Sequence, residues 1–305
     1  MNIPSVGSHS FYFDTAYNSA KKVVLQGKLS FMDKKRITTI VKAKKFYESL
    51  YSQLTAIITH FPDVDKTSKF YQELIESALS IDEYKKSLGA INWSRSMVKK
   101  LYFSFKKKEI SLQELFGRSK SVLKQVSKDL EFLKKARTHF ASFPSIKNLK
   151  TALLAGFPNV GKTSILAELT DSKPEINSYP FTTKKINIGI MKMNSQKIQI
   201  IDTPGLLERP IEKMNKIEMK AIIALKHLAD LILFIFDSSG MSGFETSEQK
   251  KLYESIKKLF PDKKIFTITN KCEEDKSIKT DFYVSCKTKE GISILKTGIF
   301  THFFP

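Results

Sequence analysis

The segment 156–164, with the sequence GFPNVGKTS, constrains the fold of this 305-residue chain more than any other part. It carries two glycines followed by Lys162 and Thr163, and it lies between a predicted buried strand and a predicted helix. The glycines let the main chain curl so that successive N–H groups point at a phosphate, and the helix N-terminus adds positive charge. A glycine-rich turn without a ligand is the alternative interpretation, and the strand–helix context argues against it.

Each polar group of this loop has an expected task. The Lys162 ammonium is a point charge for the β and γ phosphates of a nucleotide, and the Thr163 hydroxyl is a ligand for Mg²⁺. The remaining residues contribute main-chain N–H groups and close packing. The predicted phosphate-contacting residues are Phe157, Pro158, Asn159, Val160, Gly161, Lys162, Thr163 and Ser164.

The half of the chain that contains this loop alternates short apolar runs with helical segments. Strands are predicted at 151–155, 185–193, 197–202, 231–237, 265–270 and 282–285, and helices at 162–170, 211–228, 245–259 and 291–300. This order predicts a domain over 148–305 with a doubly wound, mostly parallel six-stranded sheet. Its ligand is expected at the carboxyl ends of the parallel strands.

In the first half of the chain, apolar residues recur at the spacing of helices. Helices are predicted at 34–60, 68–79, 82–108 and 111–142. Ser111 and Glu114 have the spacing of a capping box, which marks the start of the last of these helices. The sequence therefore predicts an antiparallel helical bundle over 1–147, followed by the α/β domain.

Positive charge is concentrated in the helical half. The chain has 51 Lys and Arg against 31 Asp and Glu, and residues 1–150 hold 28 of the basic and 13 of the acidic residues, a net charge of +15. Such a half favours a nucleic-acid partner, although solvated helix faces in a lysine-rich protein are the plainer interpretation. The candidate RNA contacts are Lys34, Lys35, Arg36, Lys44, Lys45, Lys99, Lys100, Lys106, Lys107 and Lys108.

The composition also excludes several classes of protein. The longest apolar run, 231–236, is far below the roughly 18 residues of a membrane-spanning helix. No basic stretch leads into an apolar one at the N-terminus, and Cys272 and Cys286 are the only cysteines, so neither a secretory signal nor a disulfide scaffold is predicted. We expect a soluble, cytoplasmic monomer that does not contact membranes.

Two further segments are predicted to reach the magnesium site. Asp202-Thr203-Pro204-Gly205 follows a strand, where Asp202 can hold the ligand shell of Mg²⁺ and the Gly205 N–H can contact a γ-phosphate. In 179–183, YPFTT, the hydroxyl of Thr182 or Thr183 can complete the same shell, and Thr183 is the favoured ligand. A turn and the start of a strand are the respective alternatives.

A third pair of segments is predicted to recognise guanine. A carboxylate in Asn270-Lys271-Cys272-Glu273 can accept both N1–H and the 2-amino group of guanine, a pair of donors that adenine lacks. Asn270 is expected to tie this loop to the phosphate loop, and the Lys271 stem to cover the base. The loop 284–287 is expected to bring main-chain donors to the guanine oxygen through Ser285, Cys286 and Lys287.

Together these segments resemble the GTP-binding domain of Obg-like GTPases and, more narrowly, the Nog family of nucleolar GTP-binding proteins. The resemblance rests on GFPNVGKTS, YPFTT, DTPGLLERP at 202–210 and IEMKAIIALKHL at 217–228. It extends into the helical half through YKKSLGAIN at 84–92 and the stretch 133–146. The chain ends just past the predicted GTPase domain, as in a short, archaeal-type member of the family.

The resemblance implies a GTPase that binds GTP or GDP with Mg²⁺ and acts in assembly of the large ribosomal subunit. Its implied partners are large-subunit rRNA, the pre-ribosomal particle, and ribosomal or assembly proteins; in a eukaryote it implies a nucleolar or nuclear location. The residues expected to act in hydrolysis are Lys162, Thr183, Gly205 and Asn159, of which Asn159 is implied as a ligand for K⁺.

Two positions depart from the usual GTPase pattern. Leu206 stands where many GTPases place a water-orienting glutamine, so slow unaided hydrolysis is expected. Glu273 stands where the guanine motif normally has aspartate, so the guanine preference is expected to survive in weakened form. A GTPase acting on tRNA or the small subunit, and a scaffold that binds nucleotide with little turnover, are the alternative functions.

Overall fold

The computed structural model describes residues 3–24, 30–171, 173–179, 185–209, 214 and 216–305. The chain divides into two units. The first, the helical unit, comprises Met1–Thr67 and Ala78–Ala141, and the second, the sheet unit, comprises Ser68–Ser77 and Ser142–Pro305. Among the described residues, no helix combines the length and the apolar character needed to cross a bilayer.

Within the described residues, six α-helices precede the sheet. They are α1 (His9–Lys21), α2 (Phe31–His60), α3 (Lys69–Ala78), α4 (Ile81–Lys106), α5 (Leu112–Gln125) and α6 (Ser127–Ala141). Four of them begin after a serine whose hydroxyl accepts a first-turn N–H, namely Ser8, Ser30, Ser80 and Ser111. This is the preferred N-cap arrangement, and at Ser111 the predicted capping box with Glu114 is confirmed.

The predicted single helix over 111–142 is wrong. The helix is interrupted at Val126, whose backbone (φ −96°, ψ 17°) separates α5 from α6. Apolar residues such as Val122, Leu130 and Leu133 are buried on both sides of the interruption. Because the apolar spacing continues across the break, periodicity alone gives no sign of it. The helix α1 was not predicted either.

The sheet unit alternates strands and helices as expected, with one more strand than predicted. Its elements are β1 (Lys150–Ala155), α7 (Lys162–Leu169), β2 (Glu175–Ser178), β3 (Lys185–Met193), β4 (Gln196–Asp202), α8 (Lys216–Leu228), β5 (Leu231–Asp237), α9 (Thr246–Leu259), β6 (Lys264–Asn270), β7 (Phe282–Tyr283) and α10 (Ile292–Phe303). The strand order is β2-β3-β4-β1-β5-β6-β7, with seven strands. Among the described strands, the pairs β2–β3 and β3–β4 are antiparallel and the others parallel.

The strand missing from the prediction is β2, at the edge of the sheet. Its one apolar residue, Ile176, is 64% exposed, so hydrogen bonds to β3 rather than apolar burial hold it in place. Edge strands of this kind lack the hydrophobic signal by which strands are recognised in a sequence. The central strands have that signal, since every residue of β5 is buried.

The helix α3 packs with the sheet unit, whereas the sequence places it in a bundle ending at 147. Phe70 and Leu74 lie in the same apolar cluster as the buried strands. The Tyr71 hydroxyl donates to the Pro144 carbonyl oxygen at 2.9 Å and accepts from the Ile146 N–H at 3.0 Å. The division between the units therefore falls at residues 141 and 142, with one earlier helix belonging to the later unit.

Candidate nucleotide-binding site

The phosphate loop connects β1 to α7 at the carboxyl edge of the sheet. Gly156 (φ 138°) and Gly161 (φ 97°) adopt backbone conformations that side chains disfavour. A Cβ on Gly156 would lie 2.5 Å from the Ile235 carbonyl oxygen, and a Cβ on Gly161 would collide with Asn270 Nδ2. The curl of the loop therefore requires both glycines.

Lys162 is only 5% exposed and is held by the loop that precedes it. Its Nζ donates to the carbonyl oxygens of Gly156 at 3.0 Å and Phe157 at 2.6 Å. It also pairs with Glu208 Oε1 at 2.8 Å, and the Glu208 side chain is 16% exposed. Sequence reasoning did not single out Glu208, whose only signal is an acidic residue soon after the Asp-Thr-Pro-Gly segment.

Asp202 and Thr163 form the part of the site that fits a magnesium ion. The Thr163 hydroxyl donates to Asp202 Oδ2 at 2.7 Å, and Asn187 Nδ2 donates to the same oxygen at 3.1 Å. The other oxygen, Asp202 Oδ1, is buried and has no hydrogen-bond partner within the described residues. A buried carboxylate oxygen beside a hydroxyl matches the hard oxygen ligands that Mg²⁺ prefers, with phosphate and water supplying the rest.

A tight turn follows β4 and brings the chain back to the phosphate loop. The Leu206 N–H donates to the Thr203 carbonyl oxygen at 3.1 Å, with Pro204 and left-handed Gly205 (φ 76°) between them. Proline followed by a left-handed glycine is the signature of a type II turn. Leu206 is 1% exposed and lies in the apolar core, and its aliphatic side chain has no group that could hydrogen-bond a water molecule.

The predicted guanine-contacting loop after β6 is tied to its neighbours. Asn270 Nδ2 donates to the Val160 carbonyl oxygen at 2.9 Å, which joins this loop to the phosphate loop. Lys271 has a left-handed backbone (φ 57°), and its Nζ pairs with Asp237 Oδ2 at 2.7 Å. Glu273 is exposed to solvent. The loop is therefore fixed by Asn270 and Lys271, while the carboxylate predicted to meet guanine is accessible.

Asp237, at the end of β5, is a site residue that sequence reasoning missed. It is 1% exposed, and besides Lys271 it accepts hydrogen bonds from the N–H groups of Ser239 and Ser242. Burial raises the pKa of this carboxyl, but the hydrogen bonds from Lys271 and Ser239 outweigh burial and lower it overall. An ionised Asp237 therefore fixes the ammonium end of the Lys271 side chain.

The loop after β7 offers fewer donors than expected. The Ser285 N–H, predicted to face the base, donates instead to the Glu290 carbonyl oxygen at 3.0 Å. Within the described residues, the N–H groups of Cys286 and Lys287 make no such bond and keep their donors. Burial raises the pKa of the Cys286 thiol to about 11, so this side chain is neutral at physiological pH.

Comparison with known proteins covers both units. Residues 2–147 match the model of the NOG1 N-terminal helical domain, and residues 151–271 match that of the 50S ribosome-binding GTPase family. An uncharacterised protein of Methanocaldococcus jannaschii is 40% identical over 245 residues, which cover 77% of this chain and 69% of that protein. The chain belongs to the Nog family of Obg-like GTPases.

Other Nog family members are longer than the part that this chain matches. Nucleolar GTP-binding protein 1 of Arabidopsis thaliana is 36% identical over 243 residues, covering 76% of this chain and 36% of the plant protein. The crystal structure of a Plasmodium falciparum protein named as nucleolar GTP-binding protein 1 is 34% identical, with a TM-score of 0.46, and covers 51% of this chain and 87% of that one.

The match to the GTPase family model confirms the predicted GTPase domain. Thr182 and Thr183, the two predicted ligands from YPFTT, lie outside the described residues. The first residue of that segment, Tyr179, is buried, and its hydroxyl donates to the Ala221 carbonyl oxygen at 2.8 Å. Of the side chains predicted to serve the phosphates and Mg²⁺, the structure thus brings Lys162, Thr163 and Asp202 to one edge of the sheet.

Proposed function

We propose that this Nog family chain is a GTP-hydrolysing switch in assembly of the large ribosomal subunit. The single observation that carries the proposal is the union, in one chain, of a phosphate loop with a helical half of net charge +15. Clustered lysines and arginines supply salt-dependent affinity for an RNA backbone. The family model named for 50S ribosome binding supports this choice of RNA, namely large-subunit rRNA within a pre-ribosomal particle.

Each part of the site has one task in this switch. Lys162 and the main-chain N–H groups of the phosphate loop hold the β and γ phosphates, and Thr163, Asp202 and Thr183 hold Mg²⁺. When bound, Mg²⁺ neutralises phosphate charge during in-line attack by water. The γ-phosphate orders the segments at Thr183 and Gly205, and hydrolysis releases them. Glu273, Lys271 and the N–H groups of Cys286 and Lys287 select guanine.

The proposal is tested by asking where the protein sediments in its own cells. A tagged chain should co-sediment with precursors of the large subunit when a non-hydrolysable GTP analogue is present, and less with GDP. Crosslinking to RNA should recover large-subunit rRNA. Recovery of tRNA or small-subunit rRNA instead would favour a GTPase with another RNA target and would reject the proposed one.

A scaffold with little turnover is a second candidate, because the buried Leu206 cannot position water. If the chain is the proposed switch instead, GTP hydrolysis should require help, from K⁺ bound at Asn159 or from the ribosomal particle. We expect phosphate release to be faster in K⁺ than in Na⁺, and faster again with large subunits. Release no higher than that of a Lys162→Ala variant under every condition would establish the scaffold.

The proposal also predicts the oligomeric state of the protein and its location in the cell. The protein is expected to act as a monomer, in contact with rRNA and with ribosomal or assembly proteins. Its location is expected to follow large-subunit assembly, in the nucleolus of a eukaryotic cell and in the cytoplasm of a cell without a nucleus. Imaging of a tagged chain tests the location.

A further inference from the structure

The outward side of α4 combines positive charge with exposed aromatic rings. Residues 92–108 contain six Lys and Arg and no Asp or Glu. We use the name α4 face for five exposed residues of this side and the half-buried arginine at its edge: Trp93, Lys99, Lys100, Phe103, Lys106 and Arg95. The opposite side of the helix carries the buried residues Ile91, Ser94 and Val98.

The two aromatic rings of the α4 face are accessible. Trp93 is 42% exposed and Phe103 is 46% exposed. Trp93 makes no ring contact within the described residues, and Phe103 meets only the edge of Tyr102, with Lys106 Nζ 5.6 Å from its centroid. Ten residues of helix place the two positions about 15 Å apart. What distinguishes these two exposed rings is the run of positive charge around them, since residues 92–108 carry no acidic side chain.

The cations beside these rings are poorly neutralised and partly held in place. Lys99 and Lys100 form no ion pair with any described residue. The guanidinium of Arg95 is held by Asn92 Oδ1 at 2.7 Å and lies over the Tyr51 ring at 5.5 Å. A fixed guanidinium loses little side-chain entropy when it binds a phosphate.

We propose that the α4 face binds unpaired RNA nucleotides, with Trp93 and Phe103 stacking on bases and the neighbouring cations contacting the flanking phosphates. This inference rests on the proposed function, which gives the helical unit an RNA partner, and adds which form of RNA and which surface. Lysine and arginine alone would serve a duplex, whose bases are stacked inside the helix. Exposed rings add affinity only where bases are free to stack on them.

The test uses the full-length protein and takes advantage of its single tryptophan. Trp93 emission is followed while a twelve-nucleotide single-stranded RNA of mixed sequence is added, and again with a duplex of the same length. We expect quenching by the single strand and little change with the duplex. Anisotropy of labelled RNA then gives the affinities of the variants.

Each ring truncation, Trp93→Ala or Phe103→Ala, should weaken single-strand binding on the order of tenfold, and Trp93→Phe should restore most of the loss. Phe11→Ala is the matched control, because Phe11 is another ring of the helical unit, 55% exposed, on α1. Lys99→Ala with Lys100→Ala should reduce the slope of log affinity against log salt by about 1.4. Unchanged GDP binding and circular dichroism show that the variants are folded.

Three results overturn the inference. They are unchanged affinity in both ring variants, equal Trp93 quenching by duplex, and a Trp93 response to anionic phospholipid vesicles but not to RNA. The first two leave the proposed function standing if large-subunit rRNA is still crosslinked in cells. Absence of that crosslink, with single-strand binding intact in solution, rejects the proposed function and not the α4 face.

Discussion

At the scale of single residues, the contact between Lys162 and Glu208 sets a carboxylate against the ammonium group that is expected to bind phosphate. Both side chains are largely buried, so the pair is only weakly screened by solvent. A nucleotide phosphate and Glu208 therefore compete for the same cation. Since the Gly156 N–H also donates to the Leu207 carbonyl oxygen at 3.1 Å, nucleotide binding and the position of residues 207–208 are coupled.

The Glu208→Gln variant should bind GDP more tightly than the wild type, because it removes the competing negative charge. The expected gain is about tenfold, the value of one charge-assisted hydrogen bond. Calorimetry of GDP binding measures it. Glu254→Gln, which removes the same charge from an exposed position of α9, should leave the affinity unchanged. Equal or weaker binding by Glu208→Gln would show that no competition exists.

Asp237 should give the protein a pH-dependent contribution to stability. Its pKa lies below the ordinary 3.8, so its carboxylate stabilises the folded state above that pH and loses this effect as the pH falls through the folded value. Asp237→Asn should lower the free energy of unfolding by about 3 kcal/mol at pH 7. Urea denaturation measures the free energies of unfolding of the variant and the wild type. Their difference should shrink as the pH falls below 3.8, and a difference that stays constant would contradict the prediction.

At the scale of elements, the sequence was informative wherever apolar residues make the contacts. The buried strands β1 and β5, the helices that follow them and the capping box of α5 were all predicted from residue pattern. The edge strand β2 is held by hydrogen bonds to β3, and Asp237 by a hydrogen bond from Lys271, which is distant in the sequence; at Val126 the apolar spacing simply continues across the break. Those contacts leave no periodic signal, so the structure was needed to find them.

Replacing a glycine with alanine tests whether the phosphate loop needs its left-handed backbone. Gly161→Ala should lower the free energy of unfolding by about 2 kcal/mol and abolish GDP binding, because its backbone is left-handed and a Cβ meets Asn270. Gly117→Ala in α5, where a Cβ has nothing within 4 Å, should instead stabilise by about 0.7 kcal/mol. Denaturant titration of both variants measures the two changes in the free energy of unfolding. Changes of the same sign would refute the role assigned to Gly161.

At the scale of the whole molecule, nucleotide should stabilise the sheet unit, since that unit holds the site. GDP with Mg²⁺ at a hundred times its dissociation constant should add about 2.7 kcal/mol to that unit. In scanning calorimetry its transition should move to higher temperature, and a chelator should reverse part of the shift. Lys162→Ala should show no shift. A nucleotide-induced shift retained in that variant would place the binding elsewhere.

The membership of α3 in the sheet unit has a consequence for protein synthesis. Phe70 and Leu74 are made before the strands that will cover them, so they leave the translating ribosome with no native partner. An expression clone that starts at residue 148 meets the converse difficulty, because the GTPase domain is then produced without α3 and with an uncovered apolar patch. A soluble GTPase domain should therefore require α3 to be supplied, for example as a separate peptide or through a circular permutation.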